Sequence, residues 1–284
     1  MACKIVVNRD SGNCARLDLD ALKCMLGCKD AQIENITSDV DWSADGYDTV
    51  VVCGGDGTLR NALDKCSHQQ IIYAPCGTLN EASATNATLK TVGKVNRESF
   101  SYVCACGSFT EIGYSAKNKH KQRWKSIAYL PQILKQYRCH DIAARLEVDG
   151  KILEQDCYTL LMVLKSHRCF GFNFNRSYKR EQKLYLLAIK SPGCDCLTNR
   201  AKMFFPFFRV FFCGISHPMS RKTWFLMPFD KLTVTLDGQQ DFCLDGEKQT
   251  LCGVLEFEQQ ALDKEVFIIK PPFCRRREIK RNEY

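Results

Sequence analysis

The feature that most constrains the fold is a strand-like run that ends in a glycine-rich loop. Val50, Val51 and Val52 form a β-branched segment typical of a buried strand. The chain continues as Cys53-Gly54-Gly55-Asp56-Gly57-Thr58, after which the apolar spacing becomes helical. Glycines let the backbone turn sharply and approach a ligand closely, and the first amides of a helix attract phosphate. The pattern therefore predicts a phosphate-binding turn between a strand and a helix.

Asp56 is an unusual residue for such a turn, because a carboxylate repels phosphate. It makes sense if it binds a cation that bridges to the phosphates, or if it accepts a proton from a nucleophile. As a metal ligand it would not fill the core, so we expect Asp56→Ala to leave the fold intact. The alternative is a tight strand-to-helix turn in which Asp56 is a cap.

Two further loops follow predicted strands in the same way. Residues 71–74 lead into Pro75-Cys76-Gly77-Thr78-Leu79-Asn80-Glu81, and residues 4–7 lead into Asn8-Arg9-Asp10-Ser11-Gly12. In an open α/β sheet the carboxyl ends of neighbouring strands can converge on one ligand. We therefore expect these loops to form one site.

These motifs resemble those of the diacylglycerol kinase catalytic-domain family, which includes bacterial soluble lipid kinases and sphingosine kinases. Asn8…Ser11-Gly12 resembles its Asn-Pro-x-Ser-Gly, and the loop from Gly54 to Thr58 resembles its Gly-Gly-Asp-Gly-Thr signature. The loop from Pro75 resembles its Pro-x-Gly-Thr-x-Asn-Asp, and Asp245-Gly246-Glu247 resembles its closing Asp-Gly-Glu. The signature alone is shared with NAD kinases, whereas the four motifs in this order are more specific.

The resemblance implies an ATP- and Mg²⁺-dependent lipid kinase that phosphorylates the hydroxyl of diacylglycerol or a related lipid. It implies that Asp56 binds Mg²⁺ and that Glu247 is the general base. From the residues alone, Asp245-Gly246-Glu247 could instead be a hairpin turn with two solvated acids. Thr37 enters only through its position in the family. The residues expected to bind the nucleotide are Asn8, Ser11, Gly12, Thr37, Gly54, Gly55, Asp56, Gly57, Thr58, Gly77, Thr78 and Asn80.

Two departures from the family pattern leave alternatives open. Leu59-Arg60-Asn61 stands where the family has x-Asn-Glu after the signature. Lys179-Arg180-Glu181-Gln182-Lys183 stands where bacterial members have an Asp-Asp-Gly that binds a structural Mg²⁺. A catalytically impaired family member that binds lipid or nucleotide is therefore an alternative. An NAD kinase is the rival enzyme, and the later motifs disfavour it.

The order of predicted elements indicates two domains and a tail. Residues 1–95 alternate between strand and helix, and we interpret them as a Rossmann-like α/β ATP-binding domain. Residues 96–270 are mostly strands, apart from a helix predicted at 124–137, and we interpret them as an antiparallel β-sandwich-like domain for the lipid substrate. The active site is expected in the interdomain cleft. Residues 271–284 form a basic tail.

Charge and aromatic content bear on the partner. The net charge of +8 comes mostly from residues 117–125 and the tail, and it predicts peripheral contact with an anionic membrane that contains the lipid substrate. The aromatic run 204–212 either inserts into that membrane or packs as a helix on the second domain. No segment approaches the roughly 20 apolar residues of a membrane span. We expect a cytoplasmic, peripherally membrane-associated protein with no signal peptide and no nucleic-acid partner, and a homodimer is left open.

The eighteen cysteines are scattered, and none has the spacing of a zinc site. We expect most of them to pack as small, reduced hydrophobic residues. Cys76, in the loop that begins at Pro75, has two interpretations. It is either a thiol beside the nucleotide, with a pKa lowered by helix-start amides, or an unreactive core residue.

Overall fold

The computed structural model describes residues 2–37, 41–78, 80–85, 87–110, 138–153, 155–169, 172–176 and 183–274. Several predictions lie outside these ranges: the helix at 124–137, the basic segment 117–125, residues 179–182 and the tail from Arg275 on. The described chain forms two compact units. One contains the residues up to Lys90 together with those from Leu262 on, and the other runs from Thr91 to Ala261.

The first unit is built on a parallel sheet. Its strands are β1 (Cys3–Asn8), β2 (Gln32–Ile36), β3 (Thr49–Gly54), β4 (Gln70–Pro75) and the end of β17 (Glu247–Ile268). Their order is β2-β1-β3-β4-β17, and every neighbouring pair is parallel. The central strand β3 is buried at every position, which explains its continuous apolar sequence.

Helices connect these strands as the apolar spacing predicts. They are α1 (Leu19–Leu26), α2 (Asp56–Lys65) and α3 (Glu81–Thr85). The side chain of Asp18 caps α1 by accepting a hydrogen bond of 3.0 Å from the Ala21 amide. The helix ends at Gly27, whose φ of +67° is easiest for glycine. A 3₁₀ turn, Cys14–Arg16, follows the loop at residues 8–13.

The described residues of the second unit form an antiparallel sheet covered by a helix. The strands are β5 (Thr88–Val95), β6 (Glu98–Phe100), β7 (Val103–Gly107), β8 (Ile142–Val148), β9 (Lys151–Ile152), β10 (Asp156–Leu164), β11 (Arg168–Cys169), β12 (Phe172–Asn173), β13 (Leu184–Lys190), β14 (Met219–Ser220), β15 (Trp224–Phe229), β16 (Lys231–Leu244) and β17. The main strand order is β14-β15-β13-β10-β7-β16-β17, and β8 pairs with both β10 and β16. The helix is α4 (Leu197–Phe208), which continues into a π-helical turn, Arg209–Cys213.

Strand β10 lies in the middle of this sheet and is buried on both faces. Leu161 and Val163 point into one apolar cluster, while Leu160 and Met162 point into another. The second cluster also contains Phe207 of α4. Each fully buried side chain of this kind contributes about 1.5–3 kcal/mol, so alternate residues of one strand stabilise two layers.

The boundaries of the units differ from those expected from the sequence, which were 95 and 270. The first unit ends at Lys90, and the chain rejoins it at Leu262. The reason is that Phe267 and Ile268 pair in parallel with Ile72 and Tyr73 of β4. The last residues of β17 thus form a fifth parallel strand, which its sequence does not distinguish from the strands before it.

Candidate functional site

Two of the three predicted loops, those after β1 and β3, contact each other at the carboxyl edge of the parallel sheet. Loop 1 (residues 8–13) follows β1 and loop 2 (residues 54–58) follows β3. The Gly55 amide donates a hydrogen bond to Ser11 Oγ at 3.1 Å. Asn8 Nδ2 donates to Thr58 Oγ1 at 2.9 Å. These two hydrogen bonds join the loops across the sheet.

Loop 3 (residues 75–81) joins the same group. The Gly54 carbonyl accepts hydrogen bonds from the amides of Cys76, at 2.7 Å, and Gly77, at 3.1 Å. Asn13 connects the outer loops, because its Nδ2 donates to the Gly77 carbonyl at 2.9 Å and its amide donates to the Cys76 carbonyl at 2.8 Å. Sequence reasoning missed Asn13, although an amide side chain right after Ser-Gly was a signal for such a bridge.

At Gly77 and Gly12 an added side chain would collide with a neighbouring loop. A Cβ on Gly77 would lie 2.8 Å from Gly55 Cα and 2.6 Å from Asn80 Oδ1. A Cβ on Gly12 would lie 2.7 Å from Thr78 Oγ1. Backbone therefore approaches backbone directly between loops 2 and 3, which only glycine permits.

The contact region also has the features of an anion site. Helix α2 is ten residues long and begins directly after loop 2's Gly55, an N-cap that makes no side-chain hydrogen bond. Such a helix start has free amides and a partial positive charge. Ser11, Gly57 and Thr78 are partly exposed around it, and Gly12 is exposed. The residues present fit the phosphates of a nucleotide.

Thr37 and Asn80 have different surroundings. Thr37 is exposed and follows β2, so it lies at the same edge of the sheet, one strand beyond β1. Asn80 has a φ of +48°, and its Nδ2 donates to the Gly77 carbonyl at 2.9 Å. Asn80 therefore closes loop 3 on itself. Its predicted contact with nucleotide stays a prediction.

Asp56 points into the protein. Its Oδ2 accepts a hydrogen bond from the Glu81 amide at 2.7 Å, and its Oδ1 accepts from the Ala82 amide at 3.3 Å and from Tyr73 Oη at 3.2 Å. The residue is only 8% exposed. It therefore caps the start of α3, whereas the alternative considered from the sequence was a cap within its own strand-to-helix turn. Because Asp56→Ala would lose these hydrogen bonds, we now expect the change to lower stability, where the sequence suggested an intact fold.

The same geometry bears on the metal. No cluster of three or more His, Cys, Asp or Glu side chains that could bind a metal occurs among the described residues. Both oxygens of Asp56 already accept hydrogen bonds from the protein, so a metal bound there would share them with these donors. Mg²⁺ is often bound mainly by substrate phosphates and water. The assignment of Asp56 as a metal ligand stays a prediction.

Asp245 and Gly246 form a tight hairpin turn between β16 and β17. Their φ values are +50° and +92°, and Leu244 pairs with Glu247 across the turn. Two left-handed residues are the pattern of a type I′ turn, which matches the twist of the flanking strands. Glu247 is exposed at the first position of β17.

Asp245, in contrast, is not solvated. It is 4% exposed and accepts hydrogen bonds from the amides of Ser101, Tyr102 and Val103 and from Ser101 Oγ. Burial raises the pKa of Asp245, while these donors oppose the rise. The turn predicted as an alternative is therefore present, but only one of its two acids faces solvent.

Cys76 is a core residue. Its side chain is fully buried and packs with Cys14 and Cys53 under the three loops. A hydrogen bond with the Cys14 thiol, followed by burial, raises the pKa of Cys76, and the same bond lowers the pKa of Cys14. Of the two interpretations of Cys76, this burial matches that of a core residue. All eighteen cysteines lie in described residues and are free thiols.

Comparison with known proteins shows what this region is similar to. Residues 4–99 match the model of the diacylglycerol kinase catalytic domain. The predicted resemblance is confirmed. The matched residues contain loops 1, 2 and 3 and not the turn at Asp245.

Diacylglycerol kinases are among the curated relatives. One from Staphylococcus aureus is 24% identical over 144 residues, which cover 42% of this chain and 45% of that protein. The match thus spans less than half the length of the relative. The described residues contain no helix that is both long and apolar enough to cross a membrane.

Solved structures show the fold. A diacylglycerol kinase from Bacillus anthracis aligns over 95% of this chain and 97% of its own, with a TM-score of 0.64 and 15% identity. An NAD kinase from Archaeoglobus fulgidus in complex with ATP aligns over 100% and 97%, with a TM-score of 0.53 and 12% identity. The protein has the mixed α/β, many-stranded fold that these two kinase groups share.

Proposed function

We propose that this protein is an ATP- and Mg²⁺-dependent lipid kinase that phosphorylates the hydroxyl of diacylglycerol or a related lipid alcohol. The observation on which this depends is the convergence of loops 1, 2 and 3 at the uncapped start of α2. The match of residues 4–99 to the diacylglycerol kinase catalytic domain supports it.

Phosphoryl transfer needs the phosphates to be held, their charge offset, and the acceptor hydroxyl deprotonated. In the proposed mechanism, the first amides of α2 and the partly exposed hydroxyls of Ser11 and Thr78 hold the phosphates. Asn8 and Thr58 fix the loops to each other. Mg²⁺ carried by the phosphates supplies charge neutralisation when bound.

Glu247 is the proposed general base in the second unit. Its exposed carboxylate can accept a proton from the lipid hydroxyl. The hairpin turn beside it is held by the hydrogen bonds of Asp245, so the side chain projects from a rigid position. This role rests on the resemblance of Asp245-Gly246-Glu247 to the closing motif of the family.

A second candidate is a family member that binds nucleotide without transferring phosphate. The burial of Asp56, with both oxygens accepting hydrogen bonds, favours it because the carboxylate of the Gly-Gly-Asp-Gly-Thr signature is then turned away from a bound nucleotide. The shared fold also keeps an NAD kinase as a testable third case.

One assay separates these cases. The protein is incubated with γ-labelled ATP, Mg²⁺ and either diacylglycerol, another lipid alcohol or NAD, and the products are partitioned into chloroform. We expect label in the chloroform phase with a lipid acceptor. Binding of ATP by calorimetry without labelled product would support the impaired member. Labelled NADP in the aqueous phase would support the NAD kinase.

A further inference from the structure

Helix α4 and its π-helical turn pack one face on the second unit. Met203, Phe207 and Val210 are buried there. The Phe207 ring lies 4.9 Å from that of Phe109, measured between centroids, in an edge-to-face arrangement. The buried face of the aromatic run therefore packs as a helix on the second domain, which is one of the two interpretations made from the sequence.

The other face is an exposed apolar surface, which we call the phenylalanine ridge: Phe204, Phe205, Phe208 and Phe212. Their exposures are 39%, 73%, 43% and 39%. The rings contact one another, with centroids 5.8 Å apart for Phe204 and Phe208 and 5.3 Å apart for Phe208 and Phe212. A contiguous patch of aromatic rings left in water marks an interaction site, whereas single exposed residues do not.

The charges around the ridge indicate the partner. Residues 196–229 contain no Asp or Glu, and their five basic residues are Arg200, Lys202, Arg209, Arg221 and Lys222. Lys202 and Arg209 are exposed on the helical segment that presents the ridge. Apolar rings beside positive charges are the combination that binds the boundary between anionic headgroups and acyl chains.

We propose that the phenylalanine ridge inserts into the surface of an anionic lipid bilayer, with the neighbouring basic side chains on the headgroups. The inference rests on the proposed function, because a lipid kinase must reach a substrate that lies in a membrane, and membrane binding by the ridge would provide that access. Insertion and packing, the two alternatives for the aromatic run, then apply to opposite faces of one helix.

The test is co-sedimentation with vesicles of phosphatidylcholine alone or of phosphatidylcholine with phosphatidylserine. Wild-type protein is expected to bind the phosphatidylserine vesicles more tightly. The variant Phe204→Gln/Phe205→Gln/Phe208→Gln is expected to partition about tenfold less strongly, because it loses the inserted surface. A matched control, Ile152→Gln/Val254→Gln, removes two apolar side chains that are 59% and 54% exposed elsewhere, and it is expected to bind like wild type.

The triple variant could lose binding because it misfolds, so the single change Phe205→Gln is tested as well. This ring is 73% exposed, and its loss leaves the packed face intact. It is expected to weaken binding while thermal unfolding stays unchanged. Unaltered binding by both ridge variants would overturn the proposal, as would an equal loss in the control. A wild-type dimer that becomes monomeric in the ridge variants, with vesicle binding retained, would assign the ridge to contact between copies of the chain and also overturn it.

Vesicle binding is measured without ATP or diacylglycerol, so its outcome is separate from that of the kinase assay. Absence of transfer in every variant would contradict the proposed function alone. Absence of ridge-dependent binding would contradict this inference alone. If both hold, the ridge variants should phosphorylate a water-soluble short-chain diacylglycerol at the wild-type rate and long-chain diacylglycerol in vesicles more slowly.

Discussion

At the scale of single residues, the carboxylates of Asp56, Asp245 and Glu247 differ in burial, and this difference indicates different roles. Asp56 and Asp245 are buried, and each accepts several hydrogen bonds from backbone amides. Glu247 is exposed. A carboxylate surrounded by protein donors shapes its own loop, whereas an exposed one is available to a substrate hydroxyl. The buried pair therefore positions loops, and Glu247 is the candidate for proton transfer.

Asp56→Ala is expected to destabilise the first unit. The change removes the acceptor for the Glu81 and Ala82 amides and for Tyr73 Oη. Loss of a buried acceptor of this kind costs about 1–3 kcal/mol of unfolding free energy. Urea unfolding measures it, with Tyr73→Phe as a control that removes only the hydroxyl shared between Asp56 Oδ1 and the Gly54 carbonyl and costs roughly 1 kcal/mol. An unchanged midpoint for Asp56→Ala would refute the capping role.

Glu247→Gln is expected to slow transfer by about 10²–10⁴-fold, the usual contribution of a general base. The nucleotide Kd should stay unchanged, because the loops that would bind phosphate are untouched. Glu258→Gln is the matched control, since Glu258 is another exposed glutamate of β17. Single-turnover rates and ATP titrations give both quantities. A collapse of nucleotide affinity in Glu247→Gln would assign it a binding role instead.

At the scale of elements, the three loops form a site because their backbones can touch. Gly77→Ala is expected to weaken ATP binding strongly and to lower stability, since the new Cβ would lie 2.8 Å from Gly55 Cα. Gly12→Ala should have a smaller effect, because its Cβ would meet the rotatable hydroxyl of Thr78. ATP titration and thermal unfolding of both variants provide the comparison. Equal effects in the two would show that backbone contact is not what limits the site.

The start of α4 depends on an ion pair. Asp195 accepts hydrogen bonds from Arg200 Nε at 2.7 Å and from the Cys139 amide at 2.9 Å. These contacts, Arg200 first, hold the pKa of Asp195 below its ordinary value of 3.8. Because the folded pKa is lowered, the stabilisation is present above the ordinary value and is lost as the pH falls below it.

Asp195→Asn should therefore remove part of the acid sensitivity. Wild type is expected to lose about 0.5–1 kcal/mol more than the variant between about pH 5 and pH 2, the size of a partly exposed ion pair. Denaturant unfolding at a series of pH values measures the difference. Parallel pH profiles for the two proteins would argue against a stabilising ion pair at this helix start.

At the scale of the whole molecule, the net charge of +8 favours the proposed contact with an anionic membrane. Attachment to phosphatidylserine vesicles is expected to weaken sharply with salt, because the Debye length falls from about 10 Å at 0.1 M to about 3 Å at 1 M. Co-sedimentation over a salt series tests this. Attachment that is insensitive to both salt and phosphatidylserine would contradict an electrostatic contribution.

The sequence by itself predicted the parts that depend on local spacing. The valine run of β3, the glycine loops and the helices after them follow from residues a few positions apart. The turn at Asp245-Gly246 was predictable as an alternative, because such pairs favour positive φ. The position of the three loops at one edge followed from the general geometry of parallel strands.

Only the tertiary structure decided which way the loop side chains point. Asp245 is buried because its carboxylate meets the amides of residues 101–103, and its partner Ser101 is 144 positions away. Asp56 is buried against α3, and Cys76 against Cys14. β17 rejoins the first sheet, and α4 leaves four rings exposed, because of contacts between distant segments. Burial is a sum over such long-range contacts, and no local pattern of residues contains it.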